Sequence, residues 1–205
     1  RPAYPAVFSF CLHTLFCLAP DGKPEILVVV DMLNDFVRPG APLEVPETRA
    51  ILPALRRRIA KARREGELVV YVCDSHRKDD PEFSRMGWPP HAVEWTPGAG
   101  VVASLAPEPG DVVVEKRTYS GFHGTPLHFI LRRHGIRSLT LAGCVTDICI
   151  LYTAADAAMR GYDATVDERF VAGLAADTHA FALDQMERVL GVRVVRRPKR
   201  KAPRR

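Results

Sequence analysis

The sequence has no Cys-x-x-Cys pair, no internal repeat, no apolar run long enough to span a bilayer, and no acid among residues 193–205. Its five cysteines are odd in number and widely spaced, which excludes a fully paired disulfide framework and points to a reducing, cytoplasmic setting. Without a stretch of about 20 apolar residues there is no transmembrane helix, so no membrane partner is expected. Residues 6–20, AVFSFCLHTLFCLAP, have about the length of an export-signal core. They contain His13, however, and no clean small-x-small cleavage site follows. Residues 1–24 are therefore expected to be an N-terminal extension, non-native, mis-started or added as an edge strand, rather than an export signal. The missing acids matter at the other end. The net charge is +5, but residues 193–205 hold eight Lys and Arg, and removing those eight leaves −3. Basicity is thus a property of the tail. Residues 196–205 read as a solvated, disordered end, and less readily as an arm for nucleic acid.

What is present fits one α/β domain over residues 25–195. With 205 residues, 47% apolar and 26% charged, the chain can bury a substantial core. Ile26–Asp31, Leu68–Cys73, Val112–Glu115 and Leu139–Gly143 are short apolar runs of the kind buried on both faces of a sheet. Weaker strands are predicted at 163–167 and 192–195. Helices are predicted over 47–64, 126–134 (closed by Gly135), 146–159 and 178–190. Residues 75–110, rich in Pro, Gly and Trp, are too irregular for a long helix, and a loop of that length is usually functional. Strands alternating with helices predict a three-layer fold: a mostly parallel six-stranded sheet with helices on both faces. Such a sheet binds ligands outside the carboxyl ends of its strands. Those ends carry Asp31, Asp74, Lys116 and the turn from Gly143 to Cys149.

Cys149 is expected in the first turn of a helix, where unpaired N–H groups and the helix dipole favour a thiolate. Taken alone, a buried inert cysteine is as good a reading. Partners decide between them: Asp31 can take a proton from the thiol, and Lys116 can hold the carboxylate in place. The plainer alternative is an Asp–Lys ion pair beside an unreactive Cys.

Three separated motifs resemble a known family. Asp31 precedes Asn34-Asp35-Phe36, Lys116 follows Val-Val-Val-Glu, and Gly143-x-x-Thr-Asp-x-Cys149 spans the turn. Together they resemble the isochorismatase-like cysteine hydrolases over roughly residues 25–195. The resemblance implies an Asp31–Lys116–Cys149 triad. It also implies a cis peptide between Cys144 and Val145 and an oxyanion hole from the N–H groups of Val145 and Cys149. Cys144 departs from the more usual aliphatic residue at its position.

Within that family, Asp74-Ser75-His76, Trp88-Pro89-Pro90-His91 and Gly98-Ala99 resemble the nicotinamidase branch. The resemblance implies one divalent metal ion on Asp74, His76 and His91, with Glu82 as a further candidate ligand. Zn2+ is the first expectation, with Fe2+ or Mn2+ as alternatives. It implies that Phe36 and Trp88 sandwich a pyridine ring, with Tyr119 and Phe122 at the rim. Ordinary packing explains the aromatic residues equally well when each is taken singly, as water-facing loop positions explain each histidine. The implied activity is hydrolysis of nicotinamide to nicotinate and ammonia, with pyrazinamide as a related substrate. The nearest alternative is another small amide or carbamoyl compound; isochorismate hydrolysis has no use for a metal-binding loop. A nucleic-acid-binding scaffold using the basic tail is the reading from a different class. A homo-oligomer is expected.

Overall fold

The computed structural model describes residues 25–197. Expectations for residues 1–24 and for the tail from 198 onward lie outside the described residues. Six strands form one sheet: β1 (Glu25–Val30), β2 (Leu68–Asp74), β3 (Val112–Lys116), β4 (Ser138–Cys144), β5 (Asp163–Ala172) and β6 (Arg193–Val195). Their order is β3-β2-β1-β4-β5-β6, and every pairing is parallel, where a mostly parallel sheet was expected.

Each central strand feeds two cores, because side chains alternate across the sheet. Ile26, Val28 and Val30 of β1 pack on one face. That face is covered by Leu127 and Leu131 of α4 (Leu127–Arg133), Ala154 and Ala157 of α5 (Leu151–Met159), and Leu183 and Met186 of α6 (Ala176–Arg188). Leu27 and Val29 point the other way. They meet Ile51, Leu55, Ile59 and Ala62 of α2 (Thr48–Arg64), whose spacing of three and four residues makes one apolar stripe. Continuous apolar runs in the strands are thus the signature of a sheet buried on both faces. α1 is a single turn, Asn34–Val37.

Three local differences from the sequence reading have physical causes. Residues 75–110 contain α3 (Pro81–Met86), started by Asp80, whose side chain accepts from the Glu82 N–H, and by Pro81 in its first turn. β5 runs to Ala172 and shifts register opposite Leu141 and Gly143, so it is longer than its weak apolar pattern suggests. Arg196 pairs with Asp184 and Glu187 of α6, and the Arg197 N–H donates to Glu168, so the start of the basic stretch is tied to the domain.

The strand order reverses between β1 and β4, which opens a crevice at their carboxyl ends. Gly143 makes the close pairing of these two strands possible at that point. Its φ is +114, and a Cβ there would lie 1.9 Å from the Val30 carbonyl oxygen. No side chain fits between the two strands at that point.

Candidate active site

The carboxyl ends of β1, β2, β3 and β4 deliver the groups that sequence spacing singles out. Asp31 follows β1 with φ +52, a left-handed conformation uncommon for a residue with a side chain. Its N–H still donates to the Val72 carbonyl (2.9 Å), and its Oδ1 accepts the Asp74 N–H (2.8 Å). The Cys144 thiol donates to the Asp31 carbonyl (3.2 Å). Asp31 is therefore held at the end of its own strand by both neighbouring strands, β2 and β4.

Lys116, at the end of β3, is 2% exposed. Its Nζ lies 2.8 Å from Asp31 Oδ2, donates to Asp74 Oδ1, and sits 3.5 Å from Cys149 Sγ. A buried ammonium is tolerable only with such counter-charges. Burial pushes Lys116 down, but Asp31 and Asp74 outweigh it and hold it well above the ordinary lysine range. Burial and the neighbouring Asp74 charge raise Asp31 to about 6 despite Lys116. Burial pushes Asp74 up, but Lys116 and His76 together outweigh it and leave Asp74 below its ordinary value.

Cys149 lies in a π turn, Thr146–Ile150, where the Ile150 N–H reaches back to the Val145 carbonyl (3.1 Å), and not in the first turn of a regular α-helix. Such turns are frequent at functional sites. The peptide between Cys144 and Val145 is cis. Burial pushes the Cys149 thiol well above its usual value, against the pull of Lys116. Burial thus opposes the thiolate that the helix-end field was expected to favour. A nearby base has to take the proton.

Asp74, His76 and His91 each offer a ligand atom within 4.8 Å of the others. Asp74 Oδ2 is 3.8 Å from His76 Nε2 and 3.9 Å from His91 Nε2. The Nδ1 atoms are engaged elsewhere, at 3.2 Å from Asp80 Oδ2 for His76 and 2.8 Å from the Pro89 carbonyl for His91. Such contacts leave the two Nε2 lone pairs aimed at the shared space. His76 Nε2 is buried with no hydrogen-bond partner, which an ion would supply. The donor set of one carboxylate and two imidazoles fits a divalent transition metal. Glu82 is buried and lines the adjoining cavity, but it lies outside this three-residue cluster. Burial raises its carboxyl above the ordinary value.

A cavity of about 210 Å³ opens onto both clusters, and Phe36, Trp88, Tyr119, Val145 and Cys149 line it. Trp88 Nε1 donates to the Tyr119 hydroxyl (3.3 Å), and Phe36 meets His91 edge-on at 5.6 Å. Phe122 is not at the rim. It packs in the core and stacks on Tyr162, because the chain turns inward after Tyr119. Sequence reasoning missed Leu43, Glu44 and Val45, from the segment after α1, and Leu174, from the turn after β5. No local pattern marks them, since the fold alone brings them to the crevice. Asp80 carried a usable signal, four residues after His76 and just before Pro81.

A family model described as the isochorismatase domain matches residues 25–196. An isochorismatase family protein of Bacillus subtilis (strain 168), PncA, is 36% identical over 181 residues, covering 83% of this chain and 98% of that one. Among solved structures, N-carbamoylsarcosine amidase from Thermoplasma acidophilum is 40% identical, with TM-score 0.76, covering 89% of this chain and 99% of the other. Pyrazinamidase of Pyrococcus horikoshii in complex with zinc is 34% identical, with TM-score 0.80 and coverage of 85% and 100%.

Proposed function

The chain belongs to the isochorismatase family, and on that premise we propose that it is a metal-assisted cysteine amidase converting nicotinamide to nicotinate and ammonia. One observation carries the choice of substrate. The cavity that ends at Cys149 is small, lined by Phe36, Trp88 and Tyr119, and no Lys or Arg among the described residues lines it. A flat, uncharged aromatic amide suits those walls. Amides that carry a carboxylate find no Lys or Arg to pair with there.

In this reading Asp31 accepts the Cys149 proton as the sulfur attacks the carboxamide carbon. The N–H groups of Val145 and Cys149 receive the oxyanion. Asp31 returns the proton to the departing nitrogen, the carbon–nitrogen bond breaks, and ammonia leaves a thioester on Cys149. Asp31 then takes a proton from water, whose hydroxyl adds to the thioester. Collapse of that adduct, with Asp31 passing its proton to the leaving sulfur, releases the carboxylic acid and restores the thiol. Lys116, held between Asp31 and Asp74, keeps the carboxylate positioned and its charge balanced. Asp74, His76 and His91 would hold one divalent ion, zinc by the precedent of the Pyrococcus pyrazinamidase. When bound, the ion supplies a Lewis-acid contact for the ring nitrogen, directly or through water. Glu82 is positioned to adjust the charge around that set.

The test is ammonia release from a panel of small amides, with and without chelator. Turnover of nicotinamide well above that of maleamate or N-carbamoylsarcosine supports the assignment. The reverse order would replace it with an amidase of another small amide or carbamoyl compound.

A further inference from the structure

We infer that Glu44, a half-buried carboxylate at the cavity mouth, sets the charge selectivity of the site, favouring uncharged amides over amides that carry a carboxylate. The inference rests on the amidase reading above and assigns a role to a residue outside the catalytic cluster. The segment bearing Glu44 is fixed after α1. Leu43 donates to the Asp35 carbonyl (3.3 Å) and Val45 to the Phe36 carbonyl (2.8 Å). Glu44 lines the cavity with Pro42 and Leu174, both exposed on their outer sides.

The carboxylate is held in its charged form by two contacts. Its Oε2 accepts the Gly40 N–H at 2.7 Å, and its Oε1 lies 2.7 Å from Arg49. The Gly40 bond, then Arg49, keeps Glu44 below the ordinary glutamate range. Arg49 also donates to the Val37 carbonyl (3.1 Å) and does not itself line the cavity, so of this ion pair Glu44 is the member that faces a ligand, with its charge partly offset by Arg49. Deeper in, the Lys116 charge is shared between Asp31 and Asp74. An entering anion therefore meets Glu44 along with the other carboxylates that line the cavity, Asp31, Asp74 and Glu82. An ion on Asp74, His76 and His91 would add positive charge, which Glu82 offsets beside the ligand set and Glu44 offsets from the segment after α1. The same field favours departure of the product, which is itself a carboxylate.

Glu44→Gln keeps the size and the acceptor for Gly40 while removing the charge. Two measurements on metal-loaded protein read the effect. One is the ratio of kcat/KM for maleamate to that for nicotinamide. The other is independent of substrate: the ratio of Cys149 alkylation rates by anionic iodoacetate and neutral iodoacetamide, followed by mass spectrometry. We expect Glu44→Gln to raise both ratios roughly three- to tenfold at low ionic strength, with a smaller rise in salt. A probe ratio unchanged within about twofold at low salt would overturn the proposal. If the parent enzyme ignores nicotinamide, the substrate assignment falls, while the alkylation ratio still decides the role of Glu44.

Discussion

Three buried cysteines, Cys73, Cys144 and Cys149, show why burial alone does not mark a nucleophile. Burial raises all three thiols. Only Cys149 among them faces the cavity, with Lys116 at 3.5 Å and the Asp31 carboxylate in the same cluster. Cys149→Ala should lower amide turnover by roughly three orders of magnitude or more with little change in thermal stability, whereas Cys73→Ala should keep turnover near that of the parent. Equal ammonia release by the two variants would remove the nucleophile assignment. Lys116→Ala differs in kind, because it strands Asp31 and Asp74 at 1% and 6% exposure without their shared cation. It should cost about 3–5 kcal/mol of stability, read by urea denaturation, as well as most of the activity. A stable, active Lys116→Ala enzyme would mean that the cluster is not a coupled unit. Asp31, Lys116 and Cys149 were legible in the sequence because each follows a short buried run, so parallel strands bring them to one edge. Glu44 and Leu174 follow no such rule, since tertiary folding alone places them at the crevice.

Among the elements, strands and long helices were legible because their apolar periods are set by the burial they serve. The π turn around Cys149 was not, since a five-residue turn and a regular α-helix share the same run of residues. What the close pairing of β1 and β4 needs is visible at Gly143. Gly143→Ala would drive a methyl group into the Val30 carbonyl at φ +114 and should destabilise the fold by roughly 3 kcal/mol or more. An unchanged denaturation midpoint would rule out the tight approach of these strands. Helix α3 offers a second test, since Asp80 both caps it and holds His76 Nδ1. Asp80→Ala should weaken helix α3 by about 1 kcal/mol. It should also reduce metal affinity about 10–100-fold by freeing the imidazole. Competition with a coloured chelator measures the second effect, and undiminished affinity would separate the cap from the ligand set.

At the scale of the whole molecule, the ligand cluster is one of the places where the sheet and the loop of residues 75–110 meet. Asp74 ends β2, whereas His76 and His91 belong to the loop that also carries Trp88 to the cavity. Two backbone bonds join the arms of that loop, His76 N–H to the Ala92 carbonyl (3.0 Å) and Glu94 N–H to the His76 carbonyl (2.8 Å). An ion on the three side chains would fasten the loop to the sheet edge and so stabilise the folded chain by its binding energy. At a free ion concentration of about 100 times the dissociation constant the gain is about 2.7 kcal/mol. For a domain of this size that raises the thermal midpoint by roughly 5–10 °C. Chelation should therefore lower the midpoint and raise KM for nicotinamide more than it lowers kcat, because Asp31, Lys116 and Cys149 stay in place. The His76→Ala/His91→Ala double variant should have the chelated midpoint from the start and ignore the chelator. Calorimetry of parent and variant with and without chelator, paired with metal analysis, makes the comparison. A parent whose midpoint and KM are both indifferent to chelation would leave the two histidines as loop packing, with the unpartnered Nε2 of His76 satisfied by water.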